Sequence, residues 1–164
     1  ADRPNLIILA SDDKNIMSDV IINVHNLLRS YDIKMIGYPD IRWLENLDPK
    51  YFYELGLMMY TPNWVDYQQD DVREFLEKYS ELFKMEPPVR SYAWQSYDIM
   101  YYFISGLAIH GSDFMYRPSM HKPDLLQVDY SFERTGLMNG FENERLYLLR
   151  YTPDLKVEFL DKAN

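Results

Sequence analysis

Three segments follow one another at the start of this chain. They are an apolar run, Leu6-Ile7-Ile8-Leu9-Ala10, an apolar stripe at helical spacing, and a second run, Ile33-Lys34-Met35-Ile36-Gly37. Short continuous apolar runs suit strands buried on both faces of a parallel sheet, where side chains on either side of the pleat meet a layer of helices. The stripe between them, Ile16, Val20, Ile21, Val24, Leu27 and Leu28, recurs with the period that lines one face of a helix. Strand, helix and strand in this order form a β-α-β unit, whose crossover is almost always right-handed. The expectation is an α/β fold with a mostly parallel sheet. Strands near residues 5–10 and 33–37 should be adjacent, with a helix over 14–30 packed on them.

The same alternation continues. Asp48-Pro49 has the pattern of a helix cap with proline at the first helical position, opening a short helix through Leu55, and Leu57 to Tyr60 reads as the next strand. Val72, Phe75, Leu76, Tyr79, Leu82 and Phe83 form a regular stripe, opened by Asp71 with Glu74 three residues on as a variant capping box. Phe75 and Tyr79 share a face and are expected to be buried against the sheet. Pro87-Pro88 ends that helix, and Tyr97, Met100, Tyr101, Ile104, Leu107 and Ala108 make another, closed at Gly111. Residues 112–123 read as a loop. Beyond it the pattern turns to β: Gln127 to Phe132 alternates as a half-exposed strand, and 146–151 and 156–160 pair as a hairpin through Thr152-Pro153-Asp154.

Bulk properties narrow the function classes. At 164 residues the chain has room for one core, so a single domain over residues 1–164 is expected. A formal net charge of -9 without any basic run argues against nucleic acid or an anionic membrane as a partner, and leaves cationic or zwitterionic ligands open. No cysteine is present, which rules out disulfides and thiolate metal sites. No stretch reaches the roughly 18 apolar residues of a membrane helix, so direct membrane insertion is not expected, and Ala1-Asp2-Arg3-Pro4 has no signal-peptide character. The sequence carries no phosphate-binding glycine loop, nucleophile elbow or His-Glu-x-x-His, and the spacing of His25, His110 and His121 matches no metal pattern. Neither catalysis nor a cofactor is expected. The 15 tyrosines suit either a sugar- or ring-binding surface or amphipathic packing at core edges.

From Gly56 the order of features is more specific. Gly56-Leu57-Met58-Met59-Tyr60 passes into a Pro/Asn/Asp loop ending at Asp66. A helix carrying Phe75 and Tyr79 follows, then Pro87-Pro88, then a helix opening Tyr92-Ala93-Trp94-Gln95-Ser96-Tyr97-Asp98. This ordered set resembles the C-terminal half of the type I periplasmic binding proteins, the leucine/isoleucine/valine-binding family of ABC-transporter substrate-binding proteins. The resemblance implies a three-layer α/β sandwich belonging to a longer two-lobed protein, of which this chain is the C-terminal part. It implies a non-catalytic receptor for a small, polar, amino-acid-like ligand, placed in the periplasm or cell envelope and serving an envelope or transporter protein partner.

Loops that follow strands are where open α/β sheets place their ligands. Ser11-Asp12-Asp13 reads as helix cap, ligand contact or acidic metal pocket of the kind seen in phosphoacceptor receiver domains, although the tail strands supply no matching lysine. Gly37-Tyr38-Pro39-Asp40-Ile41-Arg42-Trp43 is the second loop. The resemblance gives Asp40 the role of pairing the ligand's ammonium group, with Tyr38 and Trp43 beside it, while a Pro-Asp turn capping a short helix is the plain alternative. Tyr92 and Trp94 stand where the family places a cleft-facing aromatic, and core packing is the competing reading. Asp12 and Asp13 occupy a loop where the family often has an aromatic, a departure that argues against a branched-chain aliphatic ligand. A cell-envelope interaction or scaffold domain that kept the fold and lost the site is the alternative to a receptor.

Overall fold

Residue 3, residues 5–88 and residues 91–160 are described by a computed structural model, and they form two compact units. The first comprises Ala1–Thr61 and Leu146–Asn164, and the second comprises Pro62–Arg145, so the chain leaves the first unit and returns to it.

In the first unit, strands β1 (Asn5–Ile8), β2 (Ile33–Gly37) and β3 (Met58–Thr61) alternate with helices α1 (Lys14–Leu27) and α2 (Lys50–Leu55). β1 and β2 are parallel neighbours in the register Ile7↔Met35, and β2 and β3 are parallel through Gly37↔Met59. A hairpin formed near the other end of the chain completes the mixed sheet.

One face of this sheet is buried. Ile33, Met35, Met59, Thr61, Leu149 and Tyr151 project from it, and Phe52 and Tyr53 of α2 pack their rings on Tyr151. Alternate residues along each strand point to opposite faces, and the other face carries Leu6 and Ile8 in β1 at 59% and 67% exposure, with Tyr60 also open. The part of the Leu6–Ala10 run that forms β1 is therefore an edge strand with one open face, not a strand buried on both faces. The run was misread because continuous hydrophobicity reports apolar contact on two sides without saying which molecule supplies it. Helix ends follow local chemistry: Asp13 Oδ1 accepts from the amides of Asn15 and Ile16 at 2.8 and 3.1 Å, and Gly56 caps α2 at φ 58.

The second unit contains α3 (Asp70–Phe83), α4 (Tyr92–His110) and the short antiparallel pair β4 (Phe132–Arg134) and β5 (Phe141–Asn143). Its core joins Val72, Trp94 and Leu126, with Val65, Phe75 and Leu76 against them. Phe75 and Tyr79 are half-buried, and Phe75 packs on Trp94 and Tyr97 of α4 at 4.8 and 5.1 Å between ring centroids. A helix takes up the stripe that the sequence reading assigned to a sheet. Phe75→Ala should accordingly cost about 2 kcal/mol in a denaturant titration, less than the 3 to 5 typical of a fully buried phenylalanine. The capping box at Asp71 is not formed. Gln69 is the N-cap without a side-chain bond, Asp70 pairs with Arg73, and Glu74 pairs with Lys78.

The expected strand over 127–132 is also different. Asp98, buried on α4, accepts from the amides of Leu126 and Gln127 at 2.8 and 2.9 Å, and Trp64 N–H donates to Gln127 O at 2.8 Å. Because a side chain and a loop claim these backbone groups, the extended segment joins no ladder until Phe132. The stretch 112–123, read as loop, is mostly taken up by two 3-10 turns, Gly111–Met115 and Pro118–Met120, anchored by buried Phe114 and by Tyr102 Oη donating to Pro118 O at 2.5 Å. After Thr61 and Arg145 the chain returns through β6 (Tyr147–Thr152) and β7 (Lys156–Phe159), the hairpin read from the sequence. The strand order of the five-stranded sheet is β1-β2-β3-β6-β7, with β6 antiparallel to β3 through Met59↔Leu149 and Thr61↔Tyr147.

Candidate functional site

A cavity of ≈ 300 Å³ opens at the carboxyl ends of β1 and β2. Main-chain and side-chain atoms of Leu9, Ala10, Ser11 and Asp12 form one wall. Ile36, Gly37 and Tyr38 form the other, with Tyr60 from β3 closing the end. Parallel pairing brings the two loops together: Leu9 N–H donates to Ile36 O at 2.8 Å, carrying the ladder one residue past β1. Gly37 leaves room for Ile41: a Cβ there would lie 2.1 Å from Ile41 Cδ1 and force that side chain to shift. Tyr38 and Tyr60 meet edge to face, with centroids 6.1 Å apart and planes at 86°.

The seven residues singled out from sequence are distributed by simple physical rules. Asp12 and Tyr38 line the cavity together. Asp13 is committed to capping α1, and its own N–H donates to Ser11 Oγ at 3.2 Å, which fixes the loop that presents Asp12. Asp40 is exposed in the 3-10 turn Pro39–Trp43 and is not among the residues lining the cavity, because proline turns the chain directly after Tyr38 and Ile41 takes the inward position. Trp43 is half-buried under the Arg42 guanidinium, 4.7 Å from its ring centroid. In the second unit, Tyr92 is 80% exposed. Trp94 is 1% exposed and sits between Tyr67 and Phe75, so its ring has no open face for a ligand. Tyr60 was missed by sequence reasoning. Its signal was alternation: Met59 points inward, so Tyr60 must point to the open face at the strand end.

The His121 ring lies in the second unit within hydrogen-bond reach of a hydroxyl, Ser105 Oγ, at 2.8 Å. Ser105 Oγ also lies within reach of Tyr101 O one helical turn back, so its hydroxyl sits between the α4 backbone and the His121 ring. The pair ties α4 to the end of the second 3-10 turn. Burial, then the neighbouring His110, lowers the His121 pKa. Burial likewise pushes the Tyr102 phenol beside it up to about 12. Among the described residues, no group of three or more His, Asp or Glu side chains is placed to hold a metal ion, and no helix is long and apolar enough to cross a membrane.

No protein-family model matches the chain, and no curated protein matches it.

Proposed function

We propose that this chain is the C-terminal part of a solute receptor resembling the type I periplasmic binding proteins, and that it holds a small, polar, amino-acid-like ligand without chemical change. The observation that carries this reading is the cavity at the carboxyl ends of β1 and β2, which sets one carboxylate, Asp12, beside two phenols, Tyr38 and Tyr60. Such a site has an anion for an ammonium group and aromatic faces for a cation or apolar side chain. Two further features support it. The chain forms two compact units and passes between them near Thr61 and Arg145, the connectivity of a two-lobed receptor. The exposed apolar face of β1 at Leu6, away from the cavity, is suited to a second helical layer from outside these residues, which would complete a three-layer sandwich. This reading places the protein in the periplasm or cell envelope with a transporter as its partner. Asp12 takes the ammonium-pairing role that the family resemblance gave to Asp40.

Calorimetric titration with an amino-acid and small-metabolite panel tests the reading, using the protein with its complete natural chain. Asp12→Ala is expected to weaken the bound solute by about 2 kcal/mol, roughly 30-fold, and Asp40→Ala to leave it unchanged. If no member of the panel binds, the reading gives way to an envelope scaffold domain. If Asp40→Ala abolishes binding and Asp12→Ala does not, the site is misplaced.

A further inference from the structure

The larger cavity lies within the second unit and plays no part in the reading above. It is a groove of ≈ 710 Å³ between α3, α4 and residues 121–126. Tyr97 and Tyr101, one turn apart on α4, form its aromatic wall. Their ring planes are 6° apart with centroids separated by 5.8 Å, and both side chains are more than two-fifths exposed. Two nearly parallel phenols this close on one helix are offset-stacked rather than coplanar, and make a stepped aromatic shelf. The groove's remaining walls are mixed in a particular way. Asp71 and Glu74 on α3 and Asp124 opposite are acceptors, and Lys78 and Lys122 are donors. Lys78 Nζ lies 2.5 Å from Glu74 Oε1, so this charged pair is already mutually compensated at the rim.

This combination discriminates among ligand classes. Three carboxylates against two ammonium groups leave the groove weakly acidic, which opposes a polyanion, while the two ammonium groups oppose a simple cation. A wholly apolar ligand would strand these polar side chains away from water without partners. A neutral polyhydroxylated ring has one apolar face of C–H bonds and an edge of hydroxyls that donate and accept. We propose that this groove binds a neutral oligosaccharide, one sugar ring lying on the Tyr97–Tyr101 shelf while carboxylates and ammonium groups on the facing walls take its hydroxyls. The size agrees: pockets of about 300 to 1,000 Å³ enclose most of a drug-sized ligand.

Titration of the 164-residue chain with cellotetraose, maltotetraose and chitotetraose, followed by calorimetry, tests this. At least one of the three should bind with a dissociation constant below about 1 mM. Tyr101→Ala should weaken that binding by at least about tenfold, while Tyr101→Phe, which keeps the ring, should stay within about threefold. Glu74→Gln, at an exposed surface position, is the second variant, and it should weaken the same saccharide while leaving the far-ultraviolet circular dichroism unchanged. Asp12→Ala should have no effect, which separates this groove from the cavity of the first unit. The proposal is overturned if none of the three saccharides gives heat at about 5 mM, if binding survives both Tyr101→Ala and Glu74→Gln, or if an acidic tetrasaccharide binds more tightly than the neutral ones.

Discussion

Asp98→Ala is expected to destabilise the second unit by about 3 to 5 kcal/mol, because two buried charge-assisted hydrogen bonds are lost and the amides of Leu126 and Gln127 are left without an acceptor. Asp98 is fully buried, and burial raises its pKa while the backbone amides pull it down and Asp129 raises it further. The sign of the resulting pH dependence is fixed. A carboxyl whose folded pKa lies above its unfolded value holds more protons when folded, so its contribution favours folding more as pH falls from the folded value toward the ordinary one near 3.8. Asp98→Asn removes this term. Urea titrations should show the stability gap between wild type and Asp98→Asn widening in favour of wild type as pH falls through that window. A gap that narrows would mean that the amides, rather than burial, dominate.

Trp94→Ala should cost about 3 to 5 kcal/mol, since it empties the centre of the cluster that Val72, Leu126 and Phe75 close around. Tyr92→Ala, two residues earlier and largely exposed, should stay within about 0.5 kcal/mol. Guanidinium titrations of the two variants, on the same helix turn, decide between an architectural and a ligand-facing Trp94. A Trp94→Ala change smaller than about 1 kcal/mol would return the indole to the list of ligand contacts.

Much of the local organisation was legible because it is written in short-range periodicity. The parallel pairing of β1 with β2, the ranges of α1, α3 and α4, and the closing hairpin follow from apolar spacing and from turn residues. What the sequence hid was which surface each apolar face meets. Leu6 and Ile8 look like a core strand and Phe75 like a sheet-facing residue, because hydrophobicity names a preference and not a partner. The Gln127–Ser131 segment alternates as strands do, yet its backbone bonds are drawn off by Asp98 from 29 residues away, a long-range claim that local pattern cannot reveal. The division into two units was equally silent, since no glycine- or serine-rich linker marks Thr61–Pro62 or Arg145–Leu146. At the candidate site, Asp12 and Tyr38 were legible as residues following strands. Choosing Asp12 over Asp13 and Asp40 required knowing which carboxylate the α1 cap consumes and which way Pro39 turns the chain.

The sheet of the first unit sets an order of assembly. β3 lies beside β6 through the pair Thr61↔Tyr147, so the strand that completes the sheet is synthesised only after all of Pro62–Arg145. During translation the second unit is a continuous segment and can collapse on its own as it emerges, whereas β1, β2 and β3 must wait with the β3 edge unpaired. Closing a loop of that length in an unstructured chain is slow, because its entropy must be lost before pairing returns anything. A second unit already folded carries Thr61 and Tyr147 at its two ends as a compact body, and so shortens the search. Substitutions that weaken the second unit, Asp98→Ala first among them, should therefore slow the appearance of a sheet they do not touch.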